Sequence, residues 1–180
     1  MPRRLVVPRP ALPRRALVWF PSGLAEVERF RADHDPLAAS IDAHLTLVFP
    51  FASSLGSVQV AAHVRRATNR WPALPVRFEG LGHFQADWVY LRVTRGHAAI
   101  TELHDRLYRG ALAPFLRPEL PYEPHLTVAR ASPARDADAL MAAARRAGID
   151  RPREDVMREL TLVRMGPRGA IVHEAQFGLG

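Results

Sequence analysis

The tripeptide His-Leu-Thr is written twice, in "AHLTLVF" (residues 43–49) and in "PHLTVAR" (residues 124–130), each time followed by apolar residues. In an extended strand alternate side chains point to one face. His44 therefore shares a face with Thr46, and His125 with Thr127, while Leu45, Leu47, Leu126 and Val128 line the opposite side. This alternation suits a half-buried strand and not a helix. From the Leu and Thr content, one of the other histidines heads a second Leu-Thr by chance roughly 3% of the time, so the repeat carries information. A chain built this way is constrained to place two like strands in β-structure.

The surrounding text supplies the elements. "ALVWF" (16–20) reads as a buried strand, and 22–35 as a helix with Ser22 as cap and Leu24, Val27 and Phe30 on one side. The first motif strand ends at Pro50. A helix follows over 57–71, with Val60, Val64 and Ala67 at helical spacing. Segments 76–84 and 88–94 form a hairpin, and 97–112 a third helix carrying Ile100, Leu103 and Leu107. After the Pro-rich "APFLRPELPYEP" comes the second motif strand, a fourth helix over 134–148 stopped by Gly148, and a closing hairpin from "ELTLVRM" and "AIVHEAQF". The order is a loose duplication of one α+β unit, which predicts two pseudo-symmetric lobes of antiparallel sheet flanked by helices, with a cleft between them. Residues 1–15, rich in Arg and Pro, read as an extended or disordered leader, and 16–180 as a single two-lobed domain.

Composition removes whole classes of chemistry. With no Cys there is no thiolate nucleophile and no cysteine zinc site. All 25 basic residues are Arg, which rules out a P-loop lysine, a Schiff base and a nucleotidyl-lysine intermediate. The formal charge is +7, but five arginines of the leader leave only +2 on the rest, a balance that fits a local phosphate site better than a broad nucleic-acid face. No apolar run approaches the roughly 20 residues of a membrane span. The basic N-terminal text is broken by prolines and makes a poor signal peptide, so the expected location is cytoplasmic.

Two histidines facing across a cleft suit acid–base work. With an ordinary pKa near 6.5, one ring can accept a proton while the other donates one. Flanking hydroxyls can hydrogen-bond non-bridging phosphate oxygens and stabilise charge on a pentacoordinate phosphorus. A zinc site would need a third ligand, which His-x-Thr does not offer. The plainer alternative is two half-buried strands in which His and Thr satisfy each other.

On "HLTLVFPF" and "PHLTVAR", supported by "LGHF", "WVYLRV" and "ELTLVRMGPRGAIVHEAQF", the chain resembles the 2H phosphoesterase superfamily in its 2′-5′ RNA ligase-like branch, over about residues 16 to 179. The resemblance implies a two-lobed α+β fold. It also implies hydrolysis of 2′,3′-cyclic phosphates at RNA or nucleotide ends to a 2′-phosphate, with no metal or cofactor. In some members the reaction reverses as ATP-independent 2′-5′ ligation. Carried over, His44 and His125 are the proton carriers and Thr46 and Thr127 hold phosphate; of the two histidines, we read His125 as base and His44 as acid. Arg130 matches a family arginine and is a phosphate-contact candidate, although its parity is wrong for the His125–Thr127 face unless the strand ends or twists there.

Of the remaining residues, Tyr122 is a candidate for stacking on a base, and Phe49 reads as core. His34, His63, His97 and His104, in or beside helices, read as solvated, whereas His83 and His173 lie in strands that could border the cleft. The Arg65–Arg66 and Arg145–Arg146 pairs read as solvated helix faces. Two other readings stand beside cyclic-phosphate hydrolysis: an RNA-end-binding module without catalysis, and the same chemistry on a small nucleotide.

Overall fold

The structure, a computed structural model, describes residues 12–84, 88–132, 136–166 and 170–180. Eight strands form one sheet: β1 (Arg14–Trp19), β2 (Leu45–Ala52), β3 (Leu74–Phe84), β4 (Trp88–Arg95), β5 (His125–Arg130), β6 (Arg153–Met157), β7 (Glu159–Met165) and β8 (Ile171–Gly178). Four helices interrupt them: α1 (Ala25–His34), α2 (Ser57–Thr68), α3 (His97–Leu107) and α4 (Ala137–Arg146). The sheet order is β6-β3-β4-β5-β2-β1-β7-β8, and every pairing is antiparallel. The two expected lobes are its four-strand halves, which meet where β5 pairs with β2.

Helices exchange sides across this junction. The helix α1 follows β1 but packs beside β5, and α3 follows β4 but packs beside β2. This reciprocity is the pseudo-two-fold that the duplicated strand–helix–motif strand–helix order predicts. The helix-covered face carries the core: Leu45, Leu47, Leu126 and Val128 have no exposed surface and join Val27, Val60, Ile100 and Leu140 in one cluster. Truncating such a leucine to alanine costs about 2–5 kcal/mol, so the motif strands are anchored through the face that turns away from their polar residues.

Several local expectations are corrected. Ser22 does not cap α1; its N–H and hydroxyl both donate to the Asp155 carboxylate on β6, at 2.6 and 3.1 Å, and the helix starts three residues later. Pro50 does not end β2, which runs on to Ala52. Between the pairs Arg15↔Phe51 and Leu17↔Val48 the β2 side holds an extra residue, and a bulge is a position where a missing N–H is tolerated. The strand β1 begins at Arg14, inside the expected leader. Arg15 is buried, donating to Glu174 at 2.6 Å and to Ser57 Oγ at 3.1 Å. The remainder of that leader, residues 1–11, lies outside the described residues. The third helix stops at Leu107 and gives way to a 3-10 turn over Gly110–Phe115.

His63 and His104 are buried, not solvated; each ring hydrogen-bonds a backbone carbonyl, of Leu107 and Leu47 respectively, at 2.8 and 2.7 Å. Among the described residues no helix is long and apolar enough to cross a membrane.

Candidate active site

The junction of the two lobes rests on one residue pair, Leu45 opposite Leu126, both wholly buried. Stepping one residue outward on each strand sets His44 opposite Thr127 and Thr46 opposite His125, all four half-buried on the face away from the helices. Side chains directly opposite in an antiparallel pair stand about 4.5–5.5 Å apart at Cβ, and diagonal neighbours about 7–8 Å. The two imidazoles thus occupy one diagonal of a quadrilateral and the two hydroxyls the other.

Both rings are held in the same way. His44 Nδ1 donates to the Asp42 carbonyl at 2.8 Å, and His125 Nδ1 to the Glu123 carbonyl at 2.6 Å. An Nδ1 fixed as donor leaves Nε2 as the nitrogen that takes up or releases a proton. Burial pushes both pKa values below the ordinary histidine value, opposed in each ring by the backbone hydrogen bond. Around His44, after these, Arg31 lowers the value, Asp35 raises it, and the charge of His125 lowers it, so each ring's protonation bears on the other. At His125 the charge felt is that of Glu123, which favours the protonated form.

Aromatic side chains hold the rings from the flanks. Tyr90 and Phe84 lie 4.9 and 5.4 Å from the His125 ring, centroid to centroid. Phe20, with His173 stacked on it at 5.3 Å, lies 6.0 Å from His44. The Tyr90 ring occupies the space where a Cβ on Gly82 would sit, within 2.5–2.7 Å. Gly82→Val is therefore expected to displace Tyr90 from its seat against His125. Overpacking of this kind costs about 1–3 kcal/mol in chemical denaturation, and the His125 ring resonances should shift. Unchanged stability and unchanged resonances would contradict this packing.

Of the residues singled out in the sequence, His44, Thr46, His125 and Thr127 are brought together. Arg130 reaches their face through a bulge: Val89 pairs with Ala129 but Tyr90 pairs with Thr127, so Val128 is an extra residue and the alternation reverses beyond it. Val128 and Ala129 are both buried, and Arg130 returns to the Thr127 side. There its guanidinium stacks 3.8 Å from the Trp88 ring, with Nε buried and unpartnered. A matching bulge in β2 leaves Leu47 as the extra residue after Thr46.

Tyr122 is placed differently from its expected role. Its hydroxyl donates to the Thr46 carbonyl at 2.9 Å, and its ring lies flat on His104 at 3.6 Å with Phe49 against its edge. Burial pushes its phenol pKa well up. It braces the β2 motif, and one face of its ring is taken up by His104. Arg92 is the residue the sequence reading missed: it lies directly opposite His125 on β4, exposed and without an ion pair among the described residues. The alternation Trp88, Tyr90, Arg92 on one face was the signal that could have found it. His173 borders the site through Phe20, while His83 is exposed. Among the described residues no three His, Asp or Glu side chains cluster as a metal site would need.

Comparison with known proteins agrees with this fold. The model of the 2′-5′ RNA ligase superfamily matches residues 19–165, a span that contains both motifs. A protein of Geobacillus thermodenitrificans named "Putative phosphoesterase" is 27% identical over 122 residues, covering 65% of this chain and 69% of that protein. Among solved structures, E. coli LigT complexed with 3′-AMP superposes with a TM-score of 0.64 at 20% identity, covering 93% of this chain and 98% of LigT. TT0787 of Thermus thermophilus gives 0.65 at 17% identity, covering 92% and 97%. These structural likenesses concern the fold. The match over residues 19–165, which holds β2 to β7 with the paired His-x-Thr strands among them, makes this chain a member of the 2′-5′ RNA ligase superfamily.

Proposed function

We propose that this protein is a metal-independent phosphoesterase that opens 2′,3′-cyclic phosphates at the ends of RNA or nucleotides to a 2′-phosphate. The same ring opening with a 5′-hydroxyl in place of water as the attacking group, the P–O3′ bond again breaking, would form a 2′-5′ bond without ATP. The observation that carries the reading is the quadrilateral of two imidazoles and two hydroxyls at the lobe junction, with both rings fixed through Nδ1. The relatives' name and the nucleotide bound by E. coli LigT support it.

In ring opening, one neutral Nε2 takes a proton from water as the oxygen attacks phosphorus. The other ring, charged, gives its Nε2 proton to the 3′-oxygen as the P–O3′ bond breaks. Thr46 and Thr127 donate hydroxyl hydrogen bonds to the non-bridging oxygens, where charge grows. One ring serves as base and the other as acid, and the charges around them act in both directions. Glu123 favours a protonated His125, and around His44 Arg31 and a charged His125 lower the pKa while Asp35 raises it. Arg92 and Arg130 stand on the same face for the substrate's negative charge.

The test is to incubate the protein in EDTA with a 2′,3′-cyclic nucleotide and with RNA ending in a cyclic phosphate, and to identify the product isomer. Turnover to a 2′-phosphate is expected. Binding of RNA ends without product would support the binding-module reading instead. The pH dependence follows from the lowered pKa values. Activity needs one ring neutral and one charged, and burial moves both titrations to the acid side of the ordinary value. The kcat/KM profile should therefore be a bell with its maximum below about pH 6.5. A bound phosphate anion favours both protonated forms, so the kcat profile should lie at higher pH than the kcat/KM profile.

A further inference from the structure

Arg31 lies on α1 and is 2% exposed, the largest fully buried side chain among the described residues. Its Nε and Nη2 donate to Asp35 Oδ2 at 3.2 and 3.0 Å, Nη1 to Glu28 Oε2 at 2.9 Å, and Nη2 also to the Ile41 carbonyl at 3.0 Å. The second oxygen of each carboxylate is also used. Asp35 Oδ1 accepts from the Leu37 N–H at 3.0 Å, and Glu28 Oε1 accepts from the Ala43 N–H. One guanidinium and its two carboxylates thus grip both ends of the irregular segment that leads from α1 into the first motif strand.

The grip ends at the site. Asp42, whose carbonyl holds the His44 ring, sits between the two gripped residues Ile41 and Ala43. A cluster of this kind is not needed for stability alone, since well-packed apolar side chains often replace a buried ion pair at no cost. The second motif does without it. His125 follows the buried Pro124, whose ring fixes its own φ, and the nearby Glu123–His97 pair at 3.2 Å is part-exposed. We propose that Arg31, with Glu28 and Asp35, is a positioning residue for His44, fixing residues 41–43 so that the ring enters the site in one orientation; this rests on the reading of His44 as a proton carrier.

The groups that face His44 are Arg31 and Asp35 from α1 and its end, His125 from β5, the Asp42 carbonyl and the Phe20 ring. Arg31 and Asp35 act on its protonation with opposite sign, so the cluster sets charge as well as geometry. Arginine suits the task, because its planar fork can satisfy several oxygens at once where an ammonium could not.

The experiment combines kinetics on a 2′,3′-cyclic nucleotide with NMR titration of both imidazoles in the full chain. Glu28→Ala removes the grip on Ala43 from a part-exposed position. It is expected to lower kcat roughly tenfold or more with KM within about twofold, as misplacement of a reacting group does. Glu28→Gln, which keeps an oxygen for the Ala43 N–H, should recover most of the loss. Asp35→Asn removes the carboxylate that favours protonated His44, so the His44 titration should move to lower pH while that of His125 stays. If Asp35→Asn does not fold, the Glu28 pair decides. Folded variants with wild-type kcat and a wild-type His44 titration would overturn the proposal. A wild-type protein that turns over no cyclic phosphate would overturn the functional reading instead, and the His44 titration would still decide the positioning role.

Discussion

His44→Ala and His125→Ala are each expected to lower cyclic-phosphate hydrolysis by at least about 10², the lower range for loss of a general acid or base. The double variant should be scarcely slower than either single one. Two groups that move protons in one step act as a unit, and removing the second takes away little that the first had left. Neither change should unfold the protein, because both rings are only half-buried and the core lies on the other face of their strands. Wild-type rates in both variants would remove the paired-histidine mechanism. Independent, multiplying effects would argue that the rings serve separate steps.

Thr46→Val and Thr127→Val come next in size. Valine keeps the shape and removes the hydroxyl, and loss of one donor aimed at developing charge typically costs about 10²–10³ in kcat. Serine at either position should retain most of the activity, since it keeps the donor. Because each hydroxyl lies opposite the other motif's histidine, the two losses should be similar, as the pseudo-two-fold requires. A loss confined to one threonine, or one expressed only in KM, would contradict equal roles in the transition state.

The central elements were legible in the sequence because their signal is local. The period-2 alternation of the motif strands needs only that His44, Thr46, His125 and Thr127 face one way and the leucines the other, and the duplicated order of elements then implies that the copies meet. What escaped depends on long-range partners. Arg31, in "VERFRADHD", looks like any arginine on a helix surface; nothing in its neighbours shows that Asp35 and the Ile41 carbonyl will enclose it. Arg130 has the wrong parity by counting, and only the bulge at Val128, a two-strand property, restores it. Tyr122 sits in a Pro-rich stretch with no periodicity, so its stacking on His104 and its bond to Thr46 could not be read. The strand β6, "REDVM", was missed for another reason: it is an edge strand, paired only with β3, and such strands are often charged and lack an apolar stripe.

The account turns on both imidazoles addressing one phosphorus atom. The most direct test is an NMR titration with a 2′-nucleotide, following the Nε2 resonances of His44 and His125. Simultaneous movement of both rings with a single dissociation constant, and a rise in both pKa values in the complex, is the expected result. A nucleotide that perturbs one ring and leaves the other at its free value would contradict the claim.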